Sequence, residues 1–221
     1  MKTVIVLFGF FLSSQAFASK IVLTAFEPFG GAKENNSASV IAKLATLLQA
    51  AGPAGEIEVK TCVLPVEYDR GAKVALECIG ATKPDLVLSL GEGGCEIDFE
   101  TRARNRDQTG SADNAGVLRN TGSKIITGAP KFIDFNAPMV PFFRDSKQIG
   151  KARLFRSKDA GGYVCNNTAY WLSHAFMGAS SPTKFGFIHV PPVACGPSVA
   201  DNDVVARTIF EGMKASMKNL F

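Results

Sequence analysis

The run "DLVLSLG" at residues 85–91 constrains the fold more than any other stretch. It is apolar without alternation and it ends on a glycine. A strand with one wet face alternates polar and apolar residues. A strand buried on both faces does not, and such strands belong to parallel sheets covered by helices. The flanking sequence agrees. "KIVLTAF" (20–26) and "EIEVKTCVL" (56–64) read as strands. Between them Val40, Ile41, Leu44, Leu47 and Leu48 fall at helical spacing over 39–50, and "AGPAG" closes that helix. Residues 69–81 read as a second helix, "ARLFRS" (152–157) as a strand and 167–178 as a third helix. "KFGFIHVPP" (184–192) reads as a strand stopped by prolines, and 199–219 as a final helix. This alternation predicts an α/β fold of three layers, a mostly parallel twisted sheet with helices on both faces. No repeat or linker divides the chain, so a single domain is expected. Residues 92–150 are polar and irregular, too long for a plain connection, and are expected to hold function or short hairpins.

Ligands in such sheets sit beyond the carboxyl ends of the strands. Phe26–Gly31, Glu92–Cys95 and His189 all fall there, and Cys165, in "GGYVCNNTAYW" (161–171), stands where a helix begins. A helix N-terminus favours negative charge, and thiolate is the reactive form of cysteine. From the residues alone Cys165 is a nucleophile, half of a disulfide, or a small buried apolar group. A nucleophile needs a base and a group to orient that base. The chain has two histidines. His174 lies two turns along the helix after Cys165, where packing is expected. His189, at a strand end, is the better placed base.

The first 18 residues stand apart. Lys2, the run "VIVLFGFFL" and the small residues Ala16 and Ala18 follow the plan of a secretory signal peptide, cleaved before Ser19. A membrane anchor needs a longer apolar run. The mature protein is therefore expected to be periplasmic or secreted, with no membrane attachment after cleavage. The net charge of +4 is mild and no basic block tracks a phosphate backbone, so no nucleic-acid partner is expected. No Cys/His cluster has metal-ligand spacing, and neither metal nor cofactor is expected. Five cysteines are an odd number, so at least one is spare in an oxidising compartment.

"FEPFGG" (26–31), "LPV" (64–66), "YVCN" (163–166) and "GFIHVP" (186–191) occur in the order and spacing of the type I pyroglutamyl-peptidases, and the chain resembles that family over its whole mature length. The resemblance implies a cysteine exopeptidase acting on N-terminally pyroglutamylated peptides, without cofactor, and is compatible with a homo-oligomer. It implies Cys165 as nucleophile, His189 as base and Glu100, in "ETRARN", as orienting acid. It implies Phe26 and Phe29 as aromatic walls for the lactam, with Tyr163 and Val164 offering backbone groups to its edge. If Cys165 stays a thiol, four cysteines remain, and the pairs expected are Cys62–Cys78 and Cys95–Cys195, one of three connectivities.

The chain also departs from the family pattern. Thr101 stands in the place of an arginine after Glu100. Glu92, in "LGEGG", replaces a glutamine, and a carboxylate can accept but not donate hydrogen bonds. Gly110 stands where an arginine precedes "DNAG", with Arg104 or Arg106 as substitutes, Asn167 replaces a histidine, and Asn36 a proline. Two other readings accompany the peptidase: a thiol hydrolase of altered specificity, prompted by Glu92, and a catalytically silent binding protein, prompted by Gly110.

Overall fold

The structure is a computed structural model that describes residues 18–52, 56–139, 148–149, 152–177 and 181–218. Residues 1–17 of the expected signal peptide lie outside the described residues. The elements run β1 (Ser19–Phe26), α1 (Asn36–Gln49), β2 (Ile57–Leu64), α2 (Arg70–Ile79), β3 (Leu86–Glu92), β4 (Ile97–Glu100), β5 (Arg102–Arg104) and β6 (Phe132–Asp134). They continue β7 (Gln148–Ile149), β8 (Ala152–Ser157), α3 (Val164–Ala175), β9 (Lys184–Val190) and α4 (Asn202–Ser216).

Seven strands form one sheet in the order β2-β1-β3-β9-β4-β8-β7, and β5 pairs with β6 in a separate ribbon. β2, β1, β3 and β9 are parallel neighbours. β4 then enters antiparallel to β9 and carries β8 parallel to itself. The sheet is thus mostly parallel, as expected. The β4 insertion is the main feature that reading the middle of the chain as irregular did not place.

Two apolar layers follow from strand parity. Ile21, Leu23, Leu86, Leu88, Leu90, Ile188 and Val190 face Val40, Ile41, Leu44 and Leu48 of α1 and Val205, Ile209 and Met213 of α4. Val22, Phe26, Val87, Phe185 and Phe187 face Ala75 and Ile79 of α2 and Val164, Ala169, Tyr170 and Leu172 of α3. Helices therefore cover both faces. β3 is buried from Leu86 to Gly91, which is why it reads as an unbroken apolar run. α1 is capped by Asn35, whose side chain accepts the Ser37 N–H at 3.0 Å, and α4 by Asp201, which accepts from Asp203 and Val204.

Cys62 is bonded to Cys78, joining β2 to α2, and Cys95 to Cys195, joining the loops that follow β3 and β9. Cys165 is the free cysteine. Both pairings match the expectation.

Candidate active site

α3 begins at Val164, three residues earlier than the sequence reading placed it. Cys165 therefore lies inside the first turn rather than ahead of it. Asn166, left ahead of the expected helix, and Asn167, at its start, both have buried side chains bonded to neighbouring segments. Asn166 accepts from the Arg104 N–H and donates to the Arg104 and Arg106 carbonyls. No side chain caps this helix end. The first N–H groups of a helix have no intrahelical acceptor, so those around Cys165 are open to an anion. His174, expected to pack, is exposed, with its ring stacked on Tyr170 at 6.4 Å.

The Cys165 sulfur approaches β3 at Gly91. A Cβ added there would stand 2.8 Å from the sulfur and 3.1 Å from Phe187. Gly93 gives a second close approach, since its Cβ would meet the His189 side chain at 2.7 Å. Gly91, in β3, and Gly93, just past its end, leave room for these side chains.

His189 pairs with Gly91 across β3–β9 and with Asp98 across β9–β4. Its Nδ1 lies 2.8 Å from Glu100 Oε1, and Glu100 is 2% exposed. Cys165 lies close enough to His189 to act on its charge. Burial alone would lower the His189 pKa. The Glu100 hydrogen bond and the neighbouring Cys165 outweigh burial and push it up to about 10. Thiol, imidazole and carboxylate thus stand in series, and the imidazolium is the form this environment favours.

A cavity of about 380 Å³ opens over these groups, within the usual range for a small-molecule site. All eight residues expected at the site line it: Phe26, Phe29, Glu92, Glu100, Tyr163, Val164, Cys165 and His189. Phe26 and Val164 are also core residues, 2% and 1% exposed, so packing and wall are one role. Phe29 tilts against Tyr163 with centroids 6.0 Å apart, and Tyr68 meets Tyr163 edge-on at 5.7 Å. The Tyr163 hydroxyl donates to the Ala112 carbonyl. Sequence reasoning missed Asp98, Ser157 and Asp159, which line the same cavity from β4, β8 and the loop after it. The signal for Asp98 was its spacing, two residues before Glu100 and hence on the same strand face.

Two departures from the family pattern meet at one contact. Glu92 Oε1 accepts the Asn36 N–H at 2.6 Å, at the start of α1. A proline at 36 would have no N–H to donate. Burial pushes the Glu92 carboxyl up, and the Asn36 hydrogen bond opposes it. Glu92→Gln is expected to cost about 1 kcal/mol of stability, because a charge-assisted bond at a helix N-terminus becomes a neutral one. It should also raise kcat/KM on a pyroglutamyl amide by about threefold, since an amide can donate where a carboxylate cannot. Urea unfolding and steady-state kinetics on the one variant check both.

The substitutes expected for the missing arginine, Arg104 and Arg106, do not take its place. Arg104 Nη1 lies 3.7 Å from Asp159, and Arg106 packs against Gly122. Arg119 ties the loop instead. It pairs with Asp107 at 2.7 Å and with Asp69, and it stacks 4.6 Å over the Tyr68 ring, behind the aromatic wall. Asn167 donates to Asp69 and Asp107, and Trp171 donates to Asp69. The network fixes Asp69 at φ 60°, a backbone setting rare outside glycine. The Asp107 side chain is 1% exposed. Arg119→Ala leaves that carboxylate without its counter-charge and is expected to cost about 3 kcal/mol in urea unfolding. A loss under about 1 kcal/mol would mean the pair acts as a surface ion pair.

Comparison with known proteins places this architecture. Residues 19–218 match the family model described as "Pyroglutamyl peptidase". A pyrrolidone-carboxylate peptidase of Thermococcus onnurineus is 34% identical over 175 residues, 78% of this chain and 83% of that protein. One from Vibrio vulnificus is 29% identical over 201 residues, 90% of this chain and 91% of its own. Among solved structures, pyroglutamyl peptidase I of Bacillus amyloliquefaciens superposes with a TM-score of 0.71 at 26% identity, covering 87% of this chain and 94% of that one. The pyrrolidone carboxyl peptidase of Pyrococcus furiosus shares the fold with a TM-score of 0.76 at 23% identity, covering 91% and 100%.

Proposed function

This chain belongs to the pyroglutamyl peptidase family and is a cysteine peptidase, and on that premise we propose that it removes N-terminal pyroglutamate from peptides outside the cytoplasm, with Cys165 as nucleophile, His189 as acid and base, and Glu100 as the group that positions His189. The observation that carries this reading is the series Cys165–His189–Glu100 lining a cavity that Phe26, Phe29 and Tyr163 also line.

The chemistry follows from the charges. The Cys165 thiolate attacks the carbonyl carbon of the pyroglutamyl bond, and the oxyanion forms against the open N–H groups of the first turn of α3. His189, holding its proton, gives it to the leaving amine as the C–N bond breaks. Thioester formation then removes the thiolate charge. One of the groups that held the His189 pKa high is gone, so the neutral imidazole can take a proton from water. Water attacks the thioester, pyroglutamate leaves, and thiolate and imidazolium return. Glu100 keeps Nδ1 bonded throughout, so Nε2 always faces the reaction.

Pyroglutamate is a neutral lactam without an α-ammonium group. Phe26, Phe29 and Tyr163 suit its flat ring. The discriminating experiment compares matched peptides beginning with pyroglutamate, glutamine and proline. Release of pyroglutamate alone is the expected result, and equal cleavage of all three would overturn the assignment.

Export rests on the signal-peptide plan of residues 1–18 and on two disulfides, which persist in oxidising compartments. Sequencing the mature protein from fractionated cells should give an N-terminus at Ser19. A cytoplasmic protein beginning at Met1 would contradict it.

A further inference from the structure

The cavity is ordered along the sheet edge. Phe26 ends β1, Cys165 stands over Gly91 of β3, His189 is on β9 and Asp98 is on β4. Strand order therefore places the aromatic walls and Asp98 on opposite sides of His189. If the ring lies toward β1 and His189 protonates the leaving nitrogen, the residue that leaves extends toward β4.

That side is acidic. Of the four carboxylates that line the cavity, Glu92 ends β3 on the β1 side of His189, whereas Asp98 and Glu100 are on β4 and Asp159 follows β8; among the described residues no lysine or arginine lines it. Three of the four are engaged. Glu92 accepts from Asn36, Glu100 holds His189, and Asp159 accepts the Gly161 N–H and lies near Arg104. The Asp98 side chain is half-buried and, among the described residues, makes no hydrogen bond or salt bridge; burial and the charges of Glu100 and Glu96 oppose its ionised form, while the His189 charge favours it. It sits directly across the ladder from His189, so the two side chains share a sheet face. Next to it, Glu100 Oε2 is buried and has no hydrogen-bond partner.

Resting on the peptidase reading, we propose that Asp98 is a specificity-determining residue that selects substrates carrying a cationic side chain, lysine or arginine, on the residue after pyroglutamate. A half-buried carboxylate is screened less than a surface one, so its pairing with an incoming ammonium or guanidinium discriminates.

The test uses the mature protein with its disulfides intact and three peptide amides that differ only in the residue after pyroglutamate: lysine, alanine or glutamate. The expected kcat/KM is about tenfold higher for lysine than for alanine, and lowest for glutamate. The preference should shrink as salt rises. Asp98→Asn should bring the lysine-to-alanine ratio near one, chiefly through KM on the lysine peptide. Asp98→Lys should invert the order of lysine and glutamate. Equal kcat/KM on the lysine and alanine peptides in the wild type, or a lysine preference that survives Asp98→Asn, overturns the proposal alone. No cleavage of the alanine peptide by the folded wild type overturns the peptidase reading and the proposal with it.

Discussion

Glu100→Gln should lower kcat/KM on a pyroglutamyl amide by about a thousandfold or more while leaving the fold intact, the scale seen when a buried carboxylate behind a catalytic histidine is made neutral. Glu100 is held by backbone pairing with Phe187 and Ser157, so the strand does not depend on its charge. Its side chain is another matter. Oε1 holds His189 Nδ1 and Oε2 is buried without a partner. Glutamine must place its amide NH2 at one of these two positions. Toward His189 it imposes the wrong tautomer, and in the other position it leaves a buried donor unpaired.

The pH profile separates positioning from mere packing. Glu100 is among the groups that raise the His189 pKa to about 10. In the wild type, imidazolium is retained until pH rises through that value, and the alkaline limb of kcat/KM should fall there. Without the Glu100 charge the His189 pKa drops, so the limb moves to lower pH. A loss under tenfold with an unmoved limb would show that Glu100 only fills space.

Gly91→Ala should cost about a hundredfold in activity, mainly in kcat, because small misplacements of a nucleophile have effects of that size. The added Cβ would stand 2.8 Å from the Cys165 sulfur and 3.1 Å from the Phe187 ring. The sulfur can turn away, but turning takes it from His189. Gly110→Ala is the control, since nothing lies within 4 Å of a Cβ there. Unchanged kcat in Gly91→Ala would mean that Cys165 does not need its seat against β3.

Much of this site was legible in the sequence because its parts lie at strand ends and helix starts, where local patterns are strongest. The apolar run of β3 announces a doubly covered sheet, and the sheet announces the edge at which Phe26, Glu92 and His189 gather. The start of α3 was misplaced because Asn166 and Asn167 are polar. Their side chains satisfy the Arg104–Asp107 segment, a tertiary demand that local polarity does not reveal. β4 was missed for a similar reason. It has four residues, and its alternation of Ile97 and Phe99 with Asp98 and Glu100 is too short to stand out among loop residues. With β4 unplaced, Asp98 could not be set beside His189. Arg119 was out of reach because it reaches Asp69 across 50 positions of sequence.

If Cys165 performs acyl transfer on pyroglutamyl substrates, its removal abolishes turnover. The most direct measurement is hydrolysis of a pyroglutamyl fluorogenic amide by the mature protein, residues 19–221, beside Cys165→Ala. The expected result is steady turnover by the wild type and none above background in the variant, with both folded to the same melting temperature. Equal rates in the two proteins, or no turnover by a folded wild type with one titratable thiol, would contradict it.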